Sequence, residues 1–444
     1  MKKRLFMGLM CMLLAATAAC GAGGSGNDAK KEKPKSNEGK TVVTFSVKYS
    51  DAFYEATEKK FEQKYPDIDL QIVPFIQKDE EWGEGDFEKY IKTTNSSILS
   101  GKGADIIEMS DLPVSKYVNK KLLVDMNDML EQDPSLNKSD LNTNILDAMK
   151  LNGGLYTIPS AFYVGTFIGD GDILEKTVKV DEKNWDWKQF EDISRKFMQT
   201  ANLSGDRYAL ANYPPEQFLQ ILVQNNNADF IDRENRKAKF DSPLFVQTMQ
   251  QIQKMYDERI ITANAAKQSN QLFGSTYLFS PLDVVQGAFN FYSNPKLLPT
   301  PHSEGETEGT TFLVPNQLGI QANSPVKEEA WKFIAFLMSE EAQSLQEREG
   351  FSLLKSVNEK LLNETQNQVK NGEYKLSTGA AIPITERHFA ELKQLIESAN
   401  RFAKTDDKVL SIIVEESKSF FSGQKSADEV AKLIQNRATT YLNE

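Results

Sequence analysis

The stretch TVVTFSVKYSDAFYEATEKKFEQKYPDIDLQI, residues 41–72, contains the pattern that decides the fold. Its start is rich in β-branched side chains, which favour a strand. Apolar and hydroxyl side chains then recur at spacings of three and four, which predicts one helix face made of Tyr54, Thr57, Phe61 and Tyr65. Pro66 ends this helix, and the alternating Ile68, Leu70 and Ile72 predict a second strand.

A third short strand is predicted at residues 104–109, after the turn at 101–103. Strand, helix, strand, helix and strand in this order require parallel pairing, so the fold class is α/β. The second half of the chain is mostly helical in pattern. Helix starts are predicted at Asp186, at Ser324-Pro325 and at the capping box Ser426/Glu429.

The beginning of the chain has the features of a secretory signal peptide. Basic residues 2–4 precede an apolar run at 5–19, which is shorter than the ~20 residues that a membrane span needs. The end of this run, residues 18–21, resembles a bacterial lipobox with Thr17 where leucine is usual, and this resemblance implies lipidation of Cys20. The alternative is an ordinary signal peptide with an incidental cysteine.

The predicted signal peptide covers residues 1–19, and a polar segment at 20–40 follows it. This segment is too polar to form a core, so we expect a disordered, lipid-anchored linker. The chain has two cysteines, Cys11 and Cys20, and cleavage before Cys20 leaves no pair for an internal disulfide.

Size and charge limit the possible functions. Residues 41–444 exceed what one hydrophobic core usually serves, so two domains are expected. The chain has 52 lysines and arginines against 63 aspartates and glutamates, a net charge of −11. This balance argues against binding to nucleic acid or adsorption to anionic lipid, which both require basic surfaces.

Several short motifs occur in an order found in one protein family. They are FEQKYPDI (61–68), SGKGADI (100–106), LLVDM (122–126), GLYTIP (154–159), WDW (185–187), LPTP (298–301) and AWKFIAFL (330–337). Over nearly all of residues 41–444 the chain resembles the extracellular solute-binding proteins of ABC importers, in the group that includes sugar-binding lipoproteins.

This resemblance implies a periplasmic-binding-protein-like fold of two α/β lobes joined by strands that cross between them. One lobe would comprise residues 41–160 plus 300–343, and the other 161–299 plus 344–444. A ligand would lie in the cleft, and the lobes would close by a hinge. The expected protein is a monomer on the outer face of the cell membrane that delivers its ligand to ABC permease subunits. No cofactor and no metal site are expected.

Carbohydrate recognition needs aromatic faces for the C–H side of a sugar ring and planar polar groups for its hydroxyls. In open α/β sheets such groups lie just past the carboxyl ends of strands. The candidates for ligand binding are Tyr49, Ser50, Trp82, Ser110, Asp111, Phe162, Tyr163, Tyr213, Tyr277, Phe279 and Asp283.

Each candidate has a structural alternative. Tyr49, Tyr163 and Tyr277 are equally consistent with buried tyrosines whose hydroxyls are satisfied. Ser110 and Asp111 are equally consistent with a helix cap.

The four tryptophans divide into two groups. Trp82 stands in a glycine- and acid-rich loop, so it suits a ligand contact or an ordinary solvated loop. The other three lie on helix patterns and are predicted to be core residues: Trp185, Trp187 and Trp331.

An enzymatic function is the main alternative from another class. A secreted glycosidase needs two carboxylates flanking the bond, and no motif singles out such a pair. The two histidines, His302 and His388, lie in no serine-nucleophile or zinc motif. With no enzyme motif against it, the family resemblance implies a non-enzymatic binder of an oligosaccharide. A peptide or other polar solute as ligand, and a surface adhesin or scaffold, remain alternatives.

Overall fold

The computed structural model describes residues 32–77, 80–177, 180–181, 185–199, 206–232, 235–303, 309–376, 378–403 and 407–443. The predicted signal peptide, Cys20 and the first part of the linker lie outside these residues. Within the described part of the chain, no helix is long and apolar enough to cross a membrane.

The elements follow one another in three runs. The first run contains β1 (Thr41–Tyr49), α1 (Ala52–Lys64), β2 (Ile68–Ile76), α2 (Asp86–Leu99), β3 (Ile106–Glu108), α3 (Val114–Asn119), α4 (Asn127–Gln132), α5 (Thr143–Ala148) and β4 (Ile158–Pro159). The second run contains β5 (Tyr163–Asp170), α6 (Gly171–Thr177), α7 (Trp187–Gln199), β6 (Leu210–Ala211), α8 (Pro215–Asn225), α9 (Asn227–Phe230), β7 (Ile231–Asp232), β8 (Lys237–Ala238), α10 (Pro243–Asp257), β9 (Ile261–Thr262), β10 (Phe273–Leu278), α11 (Phe289–Phe291) and β11 (Pro295–Leu298). The third run contains β12 (Thr310–Leu313), β13 (Gln317–Ile320), α12 (Lys327–Leu337), α13 (Glu340–Gln343), α14 (Lys355–Lys370), α15 (Glu386–Glu397), β14 (Ala399–Phe402), α16 (Asp407–Phe421) and α17 (Ala427–Asn443).

The first sheet confirms the parallel pairing predicted from residues 41–72. Its strand order is β2-β1-β3-β13-β4, and β1 runs parallel to both β2 and β3. Alternate residues of β1, namely Val43, Phe45 and Val47, are fully buried. The side chains at every second position of β1 thus face the core, as the alternation in an extended strand requires.

The second sheet has the order β10-β5-β12-β14, and β11 also pairs with β5. The chain passes between the two sheets at two short connections and a third time through the long helical segment from β13 to β14. Residues 160–162 join β4 of the first sheet to β5 of the second, and residues 314–316 join β12 of the second to β13 of the first. These are the crossing strands that the family resemblance implied.

The described residues form three hydrophobic cores around the sheets. The largest runs from the inner face of β1 through α12, α14 and α15 to one face of β5, where Val164 and Ile168 point. Phe167, on the opposite face of β5, belongs to a second core with α7, α8, α10, α16 and α17. A small third core covers the other side of the first sheet. Buried residues from 351 to 399 also lie in the largest core, to which α14 and α15 contribute.

Predicted helix caps and core tryptophans have their expected structural roles. The Asp51 carboxylate, which was not predicted as a cap, accepts from the Tyr54 N–H (2.8 Å) and begins α1. Asp186 accepts from the Gln189 N–H (2.7 Å) before α7, and the Ser426 box begins α17. Three buried tryptophans confirm their core assignment: Trp185, Trp187 and Trp331.

Candidate functional site

Charged and aromatic side chains converge at the carboxyl ends of β1 and β3. Lys48 Nζ donates to Asp111 Oδ2 at 2.6 Å, and its backbone N–H donates to Glu108 Oε2 at 3.1 Å. Burial acts to lower the pKa of Lys48, but the hydrogen bond and charge of Asp111 outweigh it and raise that pKa. The neighbouring Tyr49 ring is half exposed and lies 5.5 Å from Lys48 Nζ.

Two further carboxylates belong to this cluster. Glu108 is buried at the end of β3, and the Ser110 hydroxyl donates to it at 3.4 Å. Burial raises the pKa of Glu108, and the negative charges of Asp111 and Asp51 raise it further. Burial also raises the pKa of Asp51, with Glu349 adding to the shift. Carboxylates that stay this close together present several hydrogen-bond acceptors in one place.

The second sheet contributes an aromatic pair to the same region. The rings of Tyr163 and Phe279 meet edge to face, with centroids 4.5 Å apart. Burial raises the pKa of Tyr163 to about 12, and Glu349 and Tyr49 add to it, which places this tyrosine beside the cluster. The Phe279 ring is 46% exposed although it is large and apolar.

Phe279 lies at the start of a turn that is stabilised by a residue within the turn, Asp283. The carboxylate of Asp283 accepts from the backbone N–H groups of Phe279 (2.6 Å) and Ser280 (2.7 Å). One oxygen of Asp283, Oδ2, is therefore engaged as a turn cap, which helps to position Phe279.

Hydrogen bonds from the Arg348 side chain to backbone carbonyls hold the loop that carries Glu349. Arg348 Nε donates to the Gln343 carbonyl at 2.7 Å, and its Nη1 donates to the Gly350 carbonyl. Burial lowers the pKa of this guanidinium to about 10. Gly350 has φ +91°, and a Cβ there would lie 2.8 Å from Tyr163 Cε1 and 3.0 Å from the Phe162 carbonyl. Only glycine lets this loop approach Tyr163 so closely.

Trp82 belongs to a separate aromatic group beside the cluster, with Phe75, Phe87 and Tyr90. Its ring is stacked on Phe75 with centroids 6.3 Å apart and is 38% exposed. Burial raises the pKa of Tyr90, and the charges of Glu108 and Asp111 raise it further. The carboxylates thus lie next to this aromatic group.

A cavity of about 850 Å³ opens next to Phe279 and Glu349, which both line it. Its other walls are the turn at 280–282, the loop at 343–350 and one face of α14. The volume lies within the roughly 300–1,000 Å³ that is usual for small-molecule sites.

The structure brings together only part of the predicted site. Tyr49, Ser110, Asp111, Tyr163 and Phe279 converge, with half-buried Ser50 directly after Tyr49. The remaining aromatic candidates lie elsewhere. Phe162 is a fully buried core residue between Phe312 and Phe351. Tyr213 packs against Phe218.

Tyr277 is half-buried within β10, where it pairs with Gly165 of β5, and burial raises its pKa to about 12. Sequence reasoning missed Lys48, Glu108 and Glu349. A lone acid in the otherwise apolar run of β3 was the available signal for Glu108.

This arrangement suits binding of a hydroxyl-rich ring. Carboxylate oxygens and an ammonium group can pair with hydroxyls, while Tyr49, Tyr163 and Phe279 offer apolar ring surface.

A family sequence profile and solved structures both match this chain. The sequence profile of bacterial extracellular solute-binding proteins matches residues 46–344. Comparison with curated protein sequences gives no match.

Solved structures share the fold over nearly the whole chain. An extracellular solute-binding protein (family 1) from Alicyclobacillus acidocaldarius has 17% identity and a TM-score of 0.61, covering 93% of this chain and 100% of its own. The sugar-binding protein MalE from Xanthomonas citri has 14% identity and a TM-score of 0.61, with coverage of 91% and 98%. An ABC substrate-binding protein from Listeria monocytogenes in complex with cycloalternan has 18% identity and a TM-score of 0.53, with coverage of 91% and 99%. These similarities show a two-lobed fold of the periplasmic-binding type.

Proposed function

Since the chain belongs to the bacterial extracellular solute-binding protein family, we propose that it captures a carbohydrate between its two sheets and delivers it to an ABC permease. The contact between Tyr163 and Phe279 beside Tyr49 carries this proposal. It places aromatic faces from both sheets next to the carboxylates at the end of the first sheet. A ligand held there touches both lobes, so its binding favours the closed arrangement.

The charges of the site favour neutral sugars. Four carboxylates lie in or beside the cluster, namely Asp51, Glu108, Asp111 and Glu349. Lys48 pairs with Asp111, and the Arg348 guanidinium donates to backbone carbonyls. A uronic acid would bring another negative charge to this cluster, and like charges in a partly buried site repel strongly. Neutral hydroxyls instead donate hydrogen bonds to carboxylates without that cost.

The solved relatives add support of a coarser kind. The Listeria protein is in complex with cycloalternan, and the Xanthomonas protein is described as sugar-binding. Because their sequence identity to this chain is low, they do not indicate which sugar it binds. That specificity depends on the side chains of this chain's own site.

Membrane attachment belongs to the same proposal and rests on residues outside the described part of the chain. Lipidation of Cys20 would hold the protein at the outer face of the cell membrane beside its permease. Cys20→Ser should release the protein from the membrane fraction, with Cys11→Ser as the matched control. Unchanged retention of the Cys20→Ser protein would refute the lipid anchor.

Calorimetric titration of residues 21–444 with neutral oligosaccharides, uronic-acid oligosaccharides and peptides tests the binding function. We expect stoichiometric binding of one neutral series, and chromatography of the recovered sugar should show it unchanged. Released shorter sugars would instead support a secreted hydrolase. Binding of peptides alone would keep the importer role and replace the ligand class.

A further inference from the structure

Two Asn-Gly pairs occur in the chain, at residues 152–153 and 371–372. An asparagine followed by glycine is open to attack on its side-chain amide carbon, Cγ, by the glycine nitrogen, because glycine has no Cβ to shield that nitrogen. The nitrogen must give up its proton, and any hydrogen bond made through that proton, before it can attack. The backbone contacts of the two glycines therefore decide which asparagine reacts.

The pair at 371–372 lies at the end of α14, where the backbone is fully engaged. The Gly372 N–H donates to the Val369 carbonyl at 2.9 Å, and the Asn371 N–H donates to the Asn367 carbonyl at 2.9 Å. Gly372 has φ +74°, the conformation that commonly ends a helix. The end of the helix must open before this glycine nitrogen can react.

The pair at 152–153 forms the tip of a tight two-residue turn. Leu151 and Gly154 exchange both of their backbone hydrogen bonds, each at 2.9 Å. Asn152 has φ +51° and Gly153 has φ +76°, the conformation for which Asn-Gly is the preferred sequence. Both tip residues are exposed, and no described residue accepts a hydrogen bond from the Gly153 N–H.

The base of the same turn is closely packed. Asn127 Nδ2 donates to the Gly153 carbonyl at 2.9 Å. Gly154 is buried, and a Cβ on it would lie 2.5 Å from Tyr156 Cε2. The turn therefore has no room for a longer backbone on the side that faces Tyr156.

We propose that Asn152 is a site of spontaneous deamidation and that the end of α14 protects Asn371 from the same reaction. The Gly153 nitrogen bonds to Asn152 Cγ, and the side-chain nitrogen leaves as ammonia with the proton that Gly153 gives up. Water then opens the resulting succinimide ring at either carbonyl, which yields aspartate or isoaspartate. Isoaspartate inserts a methylene into the main chain, so the turn lengthens against Tyr156 and loses its packing.

Mass spectrometry of the purified protein, incubated at mildly alkaline pH and then digested, tests this proposal. In the folded protein Asn152 should convert to the acid about fivefold faster than Asn371, the protection that one backbone hydrogen bond typically provides. In denaturant the two rates should converge, because the turn and the helix end are both lost. Equal rates in the folded protein, or a difference that persists in denaturant, overturn the proposal.

Thermal unfolding after the same incubation measures the consequence for the turn. Asn152→Gly removes the reactive amide and keeps a residue that accepts positive φ, so its unfolding midpoint should not change with incubation. The midpoint of the wild type should fall as isoaspartate accumulates, and the control Asn371→Ala should fall with it. A wild-type midpoint that stays constant while Asn152 converts, or an equal fall in Asn152→Gly, contradicts the predicted loss of packing.

Discussion

Asn316 Oδ1 accepts two hydrogen bonds from Ser160, one from its backbone N–H at 3.1 Å and one from its Oγ at 2.6 Å. Each residue lies in one of the two short connections between the sheets, and both are buried. The pair therefore ties the two crossings to each other at the point where the lobes join.

Asn316→Ala should destabilise the protein because it leaves the N–H and hydroxyl of Ser160 without their acceptor. A buried unsatisfied group costs about 1–3 kcal/mol, and denaturant unfolding measures the loss. Asn323→Ala is the control, because that exposed amide donates a single bond to the Gly101 carbonyl. Similar losses in both variants would contradict the special role of Asn316.

Gly350→Ala should lower both stability and ligand affinity, because its Cβ would meet Tyr163 and the Phe162 carbonyl. Gly372→Ala is a matched control: it also has positive φ (+74°), but nothing lies within 4 Å of the added atom. The control should lose about 1–2 kcal/mol of stability through backbone strain alone. Thermal unfolding and calorimetric titration distinguish the two, and equal effects would argue against the contact with Tyr163.

Glu108 should make stability fall as the pH rises. Burial raises the pKa of this carboxyl, so between its unfolded and folded pKa values the native state binds more protons than the unfolded chain. The stabilisation is full below the unfolded value of about 4.3 and is lost as the pH rises through the folded value.

Denaturant unfolding of Glu108→Gln across this range measures that contribution. We expect the wild type to lose stability relative to Glu108→Gln as the pH increases from about 4 to 7. Glu84→Gln, in an exposed loop, controls for the loss of one negative charge. A constant difference between wild type and Glu108→Gln at every pH would contradict the raised pKa.

Phe279→Ala should weaken carbohydrate binding by about threefold to tenfold, the range expected for one aromatic contact. The control Phe291→Ala removes a phenylalanine of similar exposure, 40% against 46%. Phe291 lies outside the cavity and cluster described above. If both variants bind like the wild type, Phe279 is not a ligand contact.

Local periodicity was sufficient to predict β1, α1 and β2, because each buries a regular set of side chains. The site was harder to predict because its parts come from distant segments: Glu349 reaches Asp51 only after the chain has crossed between the sheets twice. Neighbouring residues also differ in role. In the extended backbone Phe162 points into the core while Tyr163 points out of it, and the sequence contains no signal that tells these two faces apart.

Several large apolar side chains are exposed at or beside the site on this acidic protein, namely Tyr49, Trp82, Phe87 and Phe279. Exposed apolar surface of this kind favours self-association of two ligand-free copies of the protein. The carboxylates among these rings also give both copies like charge, and the net charge of −11 adds to the repulsion. By this repulsion the acids at the site oppose self-association of the protein through its exposed aromatic rings.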